Sequence, residues 1–183
     1  MEEVNLTKEV SNIRYDKEII YRTFEQLFIT ESNIIIKDYY VENEKRWRKY
    51  ILNFDDKDYS LHVRFKNVTS GGWSNKPNVR RIQIPRVQLD NIVETKENEL
   101  TMLAGFVTFK NSPLFCFWNP KRYITHKTTC SCYVNVSSIN IAFKEGFYFG
   151  HDSGKEVYIC NSLNLKRVIK EFIQNNYISG FNW

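Results

Sequence analysis

Residues Glu99 to Pro120 read ELTMLAGFVTFKNSPLFCFWNP. Two strongly apolar runs, rich in β-branched and aromatic residues, flank the tetrad Lys110 to Pro113, the pattern of two strands joined by a turn. The same pattern continues upstream in NIIIKDYYV (33–41), WRKYILNF (47–54) and YSLHVRF (59–65), with Asp55 to Asp58 as a hairpin turn. VRRIQIP (79–85) is strand-like, with Val79, Arg81 and Gln83 on one face, Arg80, Ile82 and Ile84 on the other, and Pro85 as its stop. Downstream, CSCYVNV (130–136), FYFG (147–150) and EVYIC (156–160) read as strands, the last two flanking the turn HDSG at 151–154. Helical spacing appears at Ile19, Ile20, Phe24, Leu27 and Phe28 behind a capping Asp16, and again at Leu165, Val168, Ile169, Phe172 and Ile173. Between them, Ser137 or Ser138 can cap a short helix through Ile139 to Glu145 closed by Gly146, and a helical turn fits Val87 to Val93. The sequence therefore predicts a mainly β, α+β fold of about seven or eight strands, with an N-terminal, a short middle and a C-terminal helix.

A chain of 183 residues, 42% hydrophobic and 15% aromatic, has enough apolar surface for one well-cored domain and is not a disordered tail. We expect a single domain over 1–183, belonging to a longer protein. No apolar run approaches the roughly 18 residues of a membrane span, and MEEVNLTKEV lacks the basic and apolar regions of a secretory signal. A cytoplasmic chain with reduced thiols at Cys116, Cys130, Cys132 and Cys160 is the simplest expectation.

The net charge of +5 is modest, but it is unevenly spread. From Arg64 to Arg86 the basic residues are Arg64, Lys66, Lys76, Arg80, Arg81 and Arg86, with no acid among them. From Thr101 to Phe143 they are Lys110, Lys121, Arg122 and Lys127, again without an acid. Brought together by the fold, the two segments would form one positive face, the footprint of a polyanion binder.

Residue types sharpen that reading. A protein that only neutralises phosphates can do so with lysines, whereas reading bases in the major groove calls for Arg at guanine and Asn or Gln at adenine. The segment SGGWSNKPNVRRIQIP (70–85) supplies Ser74, Asn75, Lys76, Asn78, Arg80, Arg81 and Gln83. WNPKRYITHKTTCSCY (118–133) supplies Asn119, Lys121, Arg122, His126, Lys127, Thr128, Thr129, Ser131 and Tyr133. Turn chemistry accounts for at least one of Asn75 and Asn78, and core packing suits Trp73 and Trp118 better than base stacking.

Chemistry within the chain has weaker support. Glu94 and Lys96 match half of a metal-dependent nuclease site, but the first carboxylate would have to be a distant Asp55 or Asp56. His126, Cys130 and Cys132, with Cys160 or His151, fit no familiar zinc spacing, and cysteines two apart on a strand share one face as core thiols do. His62, His126 and His151 have no nucleophile elbow near them, and Gly71–Gly72 is no phosphate loop. No cofactor and no metal is expected.

The motif GGWSNKPNVRRIQIP, followed by FCFWNPKRYITHKTTCSCYVNV and a short helix ending in Gly, resembles the N-terminal DNA-recognition domain of LlaJI-type, McrBC-related restriction endonucleases. The resemblance covers about Ile34 to Ile173. It implies an open, plant-type DNA-binding pseudobarrel like the specificity domains of EcoRII and BfiI, whose two arms grip the major groove. Carried over, the arms are Ser70 to Gln83 and Lys121 to Tyr133. The implied partners are double-stranded DNA and, in a restriction system serving phage defence, separate nuclease and NTP-driven motor parts; this domain itself would not be an enzyme. Two alternatives stay open: a reader of modified or flipped bases that stacks them between Trp73 or Trp118 and Tyr133, and a self-contained nuclease built on Glu94 and Lys96.

Overall fold

Asp55 with Asp56, Lys110 with Asn111, and Ser153 with Gly154 carry positive φ in pairs. Such pairs form the two-residue hairpin turns whose twist matches that of the strands they join. A computed structural model describes residues 2–29, 34–42, 47–85, 99–123 and 128–177. Each turn closes a hairpin: β2 (Trp47–Phe54) with β3 (Lys57–Asn67), β6 (Glu99–Phe109) with β7 (Ser112–Trp118), and β9 (Phe147–Asp152) with β10 (Lys155–Asn161). With β1 (Ile34–Glu42) they make a seven-stranded sheet of order β1-β2-β3-β6-β7-β10-β9. All neighbours are antiparallel except β3 and β6, which run parallel from Ser60↔Glu99 to Asn67↔Phe106.

A parallel pair cannot be closed by a tight turn, so the chain between β3 and β6 must travel. On its way it lays down β4 (Thr69–Ser70) and β5 (Val79–Pro85), and β5 later receives β8 (Thr129–Asn135) to complete a three-stranded antiparallel sheet. The fold is mainly β, as expected, with ten strands among the described residues, in two sheets, where about seven or eight were expected.

The central strands are buried on both faces, which is why Glu99 to Trp118 reads as continuous apolar runs. One face, with Met102, Ala104, Phe106, Phe115 and Phe117, is covered by α2 (Lys17–Ile29) through Ile20, Tyr21 and Phe24 and by α4 (Leu165–Tyr177) through Leu165, Val168, Ile169 and Phe172. The other, with Leu103, Val107, Cys116 and Trp118, is covered by the inward residues of the small sheet, Ile82, Ile84, Cys130, Cys132 and Val134, and by α3 (Val136–Glu145) through Val136, Ile139 and Ala142. Layers of helix, large sheet and small sheet with helix follow from that double burial.

Asp16 caps α2 as expected, its carboxylate accepting the Glu18 N–H at 2.8 Å. Ile19 does not join the buried stripe: it is 53% exposed, and Tyr21 takes its place. The middle helix starts earlier than the serines suggested. Asn135 is its N-cap residue, while the Ser138 hydroxyl donates to Asp152 at 2.9 Å. The buried Asp152 carboxylate also accepts the Asn135 backbone N–H at 2.7 Å and Asn135 Nδ2 at 3.0 Å, so β9 is tied to the N-cap residue and, through Ser138, to the first turn of the helix. Gly146 closes α3 at φ 81°, as its position implied. Helix α1 (Glu2–Glu9) was not legible, since six of its eight positions are polar; Leu6 packs against the core. The helical turn expected at Val87 to Val93 lies outside the described residues. Among those described, no helix is long and apolar enough to cross a membrane.

Gly105 of β6 packs against Val68, between β3 and β4, and against Trp118 of β7. A Cβ there would stand 2.5 Å from Val68 Cγ2 and 3.0 Å from the Trp118 ring, well inside contact distance. Gly105→Ala should therefore cost about 1–3 kcal/mol of stability by overpacking, read as a lower urea midpoint at unchanged slope. Adding Val68→Ala should restore part of the loss.

Candidate nucleic-acid interface

Strands β5 and β8 carry the two acid-free segments, and they pair with each other along their whole length. The register runs Val79↔Asn135, Arg81↔Tyr133, Gln83↔Ser131 and Pro85↔Thr129 on the outward face, alternating with Arg80↔Val134, Ile82↔Cys132 and Ile84↔Cys130 on the inward one. The fold thus joins the two basic segments into one ribbon. Their strand portions are neighbours in a single sheet, not separate projections.

The loop from Ser70 to Asn78 is shaped before it reaches that ribbon. Gly72 takes φ 77°, a conformation that suits glycine, and its N–H donates to Ser70 Oγ at 3.3 Å. Two successive turns follow, with the Lys76 N–H donating to the Trp73 carbonyl at 3.3 Å and the Val79 N–H to the Lys76 carbonyl at 3.2 Å. Trp73 folds back over Gly71 so closely that a Cβ on Gly71 would fall 2.2 Å from its ring. The two glycines therefore have different reasons: one allows the turn, the other the indole.

From that seat the Trp73 ring meets two partners on the outward face. Tyr133 lies at 5.8 Å between centroids, tilted by 44°, and the Arg81 guanidinium covers the indole at 4.6 Å from its centroid. Stacking on an indole attracts a guanidinium and fixes its plane while leaving its N–H edges free. Among the described residues no carboxylate or carbonyl takes those N–H groups.

Arg80 behaves in the opposite way. It is 2% exposed, and its Nη1 donates to the Pro77 carbonyl at 2.7 Å and its Nη2 to the Thr7 carbonyl at 3.1 Å. Thr7 lies in the last turn of α1, where carbonyls lack helical donors and the helix end is partly negative. Arg80 therefore caps α1 and is turned away from the surface that Arg81 occupies. Asn78 is likewise engaged: its Oδ1 accepts the Thr7 hydroxyl at 2.6 Å and its carbonyl accepts the Val136 N–H at 2.8 Å.

Of the other expected residues, Ser74, Asn75 and Lys76 are exposed at the loop tip, Gln83, Thr128 and Thr129 are exposed at the far end of the ribbon, and Ser131 is half-buried between them. Arg122 is exposed on the 3-10 turn Pro120–Arg122, whose Lys121 is described in its backbone only. His126 and Lys127 lie outside the described residues, as do Glu94 and Lys96. Trp118, 0% exposed, is a core residue and donates its indole N–H to the Tyr133 carbonyl at 3.1 Å. Cys130 and Cys132 are core thiols beneath the ribbon, with Cys132 hydrogen-bonded to Tyr123 and its pKa pushed well up by burial.

Lys66 was counted as basic but not as part of a site, because only the sheet pairing reveals its position. Strand β4 covers β5 only at Arg80 and Arg81. Beyond that point Lys66, from the end of β3, donates its ammonium to the Gln83 carbonyl. Burial, together with the nearby Arg64 and Lys17 charges, lowers the Lys66 pKa to about 8.

The Methylase-associated X1 family matches this chain over residues 59–163, more than half of its length. The matched span starts in β3 and stops just ahead of α4, so it contains the whole small sheet and α3. No curated protein and no solved structure matches.

A lysine that titrates near 8 when folded and near 10.5 when unfolded binds fewer protons in the folded chain across that interval. Stability should therefore rise with pH from about 8 to 10.5. Lys66→Met should flatten the rise by on the order of 1 kcal/mol, allowing for solvent screening of a half-buried ammonium. Urea unfolding at stepped pH measures it.

Proposed function

Because the chain belongs to the Methylase-associated X1 family, we propose that it is the double-stranded DNA-recognition module of a restriction-modification system, presenting the outward face of the β5–β8 ribbon to the major groove. One observation carries the reading: the Arg81 guanidinium is stacked on Trp73, with its N–H edges unspent among the described residues, on a ribbon built from two acid-free segments. A two-stranded ribbon is one of the two elements that the major groove admits. Ser74, Asn75 and Lys76, in the loop before β5, and Thr128 and Thr129, at the start of β8, are exposed, as is Arg122; in this proposal they hold phosphates on either side of the ribbon. Lys121, His126 and Lys127, close in sequence to Arg122 and Thr128, belong to the same contact set in this proposal.

The association with a methylase in the family's name supports a place in a restriction-modification system, and the LlaJI-type resemblance supports separate nuclease and NTP-driven motor partners in a cytoplasmic defence against phage. From the pseudobarrel likeness the proposal keeps a rigid sheet presenting basic loop-to-strand segments to DNA. It changes the geometry, because the two segments are adjacent in one ribbon instead of opposed as jaws. The stacking alternative has less support: Trp118 is buried, and the tilted Trp73 and Tyr133 rings, with Arg81 already on one of them, do not frame a parallel slot for a base.

Duplex binding should be steeply salt-dependent. With six to ten phosphates contacted, raising salt from about 50 to about 200 mM should cost on the order of a thousandfold in affinity. A flat response would remove the polyanion reading. Magnesium-dependent cleavage by the isolated chain, abolished by Glu94→Ala, would replace the binding module with a nuclease.

A further inference from the structure

We propose that Arg81 and Gln83 are the two base-reading side chains of the ribbon, Arg81 taking a guanine edge and Gln83 an adenine edge two base pairs away, with Trp73 as the residue that positions the Arg81 fork. The inference rests on the DNA-recognition reading and specifies its chemistry.

Spacing is the first support. Alternate residues on an antiparallel strand project from one face about 6.8 Å apart, and base pairs stack at about 3.4 Å. A strand running along the groove floor therefore sets its same-face side chains over base pairs two steps apart. On β5 those side chains are Arg81 and Gln83, followed only by Pro85, which offers no donor.

Width is the second. Strand β4 pairs with β5 only at Thr69↔Arg81 and Ser70↔Arg80, so from Gln83 onward only β8 flanks β5 within its sheet. At Gln83 the small sheet is down to the two strands that a groove about 12 Å wide accepts. Lys66 bonds the open edge at the Gln83 carbonyl, holding the backbone there and setting a cation beside the groove wall.

Chemistry is the third. A guanidinium held flat on an indole presents its N–H edge in one plane, and two coplanar donors match the O6 and N7 acceptors of guanine. Gln83 is exposed, with no side-chain hydrogen bond among the described residues, and its amide can pair with the N6 and N7 groups of adenine. Arg80, one residue away, cannot substitute for Arg81, since its guanidinium is buried and its two Nη groups donate to the Pro77 and Thr7 carbonyls. Across the ribbon, the Ser131 and Thr129 hydroxyls lie opposite Gln83 and Pro85 and can donate or accept beside either base.

The test is selection of bound duplexes from a random pool with the full chain and surface variants, each checked for an unchanged thermal unfolding profile. The wild type should enrich a guanine and an adenine two base pairs apart. Arg81→Lys should relax the guanine column alone, losing roughly ten- to hundredfold in discrimination, and Gln83→Ala the adenine column alone. Trp73→Ala should weaken guanine discrimination with the salt slope unchanged, and Trp73→Phe should restore most of it; a merely structural Trp73 would instead lower affinity for all sequences equally. Salt-dependent binding with no enriched sequence, or columns unmoved by Arg81→Lys and Gln83→Ala, would overturn the inference and leave the DNA-binding reading standing. Salt-independent binding, or none, would overturn both.

Discussion

The indole of Trp118 joins the two sheets, and the candidate interface depends on that join. Its ring sits against Gly105 of β6, where no larger residue leaves room, and its N–H donates to the Tyr133 carbonyl of β8. A buried indole N–H left without an acceptor would cost about 1–3 kcal/mol, so the ring fixes β8 over the large sheet as well as filling space. With the Tyr133 backbone held from below, its ring stands outward beside Trp73, and Trp73 in turn carries Arg81. A core tryptophan and a surface tryptophan thus act in series, one fixing the strand and the other the side chain that the strand presents.

Alternation along β5 divides two adjacent arginines between structure and surface. Inward, Arg80 is compensated by carbonyls and a helix end, with no carboxylate bonded to it among the described residues. This arrangement keeps the small sheet free of acid while tying α1 to the start of β5. Outward, Arg81 is supported by an aromatic face, which leaves its hydrogen-bonding capacity unspent among the described residues. At the other end of β8, the buried Asp152 carboxylate ties β9 to Asn135 and the first turn of α3. Its burial raises its pKa despite three donors.

Much of the fold was legible because its rules are local. The hairpin turns at Asp55, Lys110 and Ser153, the cap at Asp16, the glycine stop at Gly146 and the apolar runs of β6 and β7 each announce themselves within a few residues. The split of Arg80 from Arg81 was legible too, since it follows from strand alternation alone. What was not legible is non-local. Nothing in the sequence shows that β5 pairs with β8, that Lys66 reaches Gln83, that Asp152 holds Asn135 and Ser138 at the start of α3, or that Thr7 holds Arg80. The double glycine shows the limit well: its turn could be read from composition, but the seating of Trp73 on Gly71, which gives the pair its meaning for the site, needed coordinates.

In the proposed function the outward face of the small sheet meets DNA, while the helical face of the large sheet does not. Hydrogen–deuterium exchange of the full chain with and without saturating duplex tests it directly. Added protection should concentrate in residues 69–85 and 128–135, with α2 and α4 unchanged. Protection centred on α2 and α4, or on the β1–β2 edge, with the small sheet unaffected, would contradict the account.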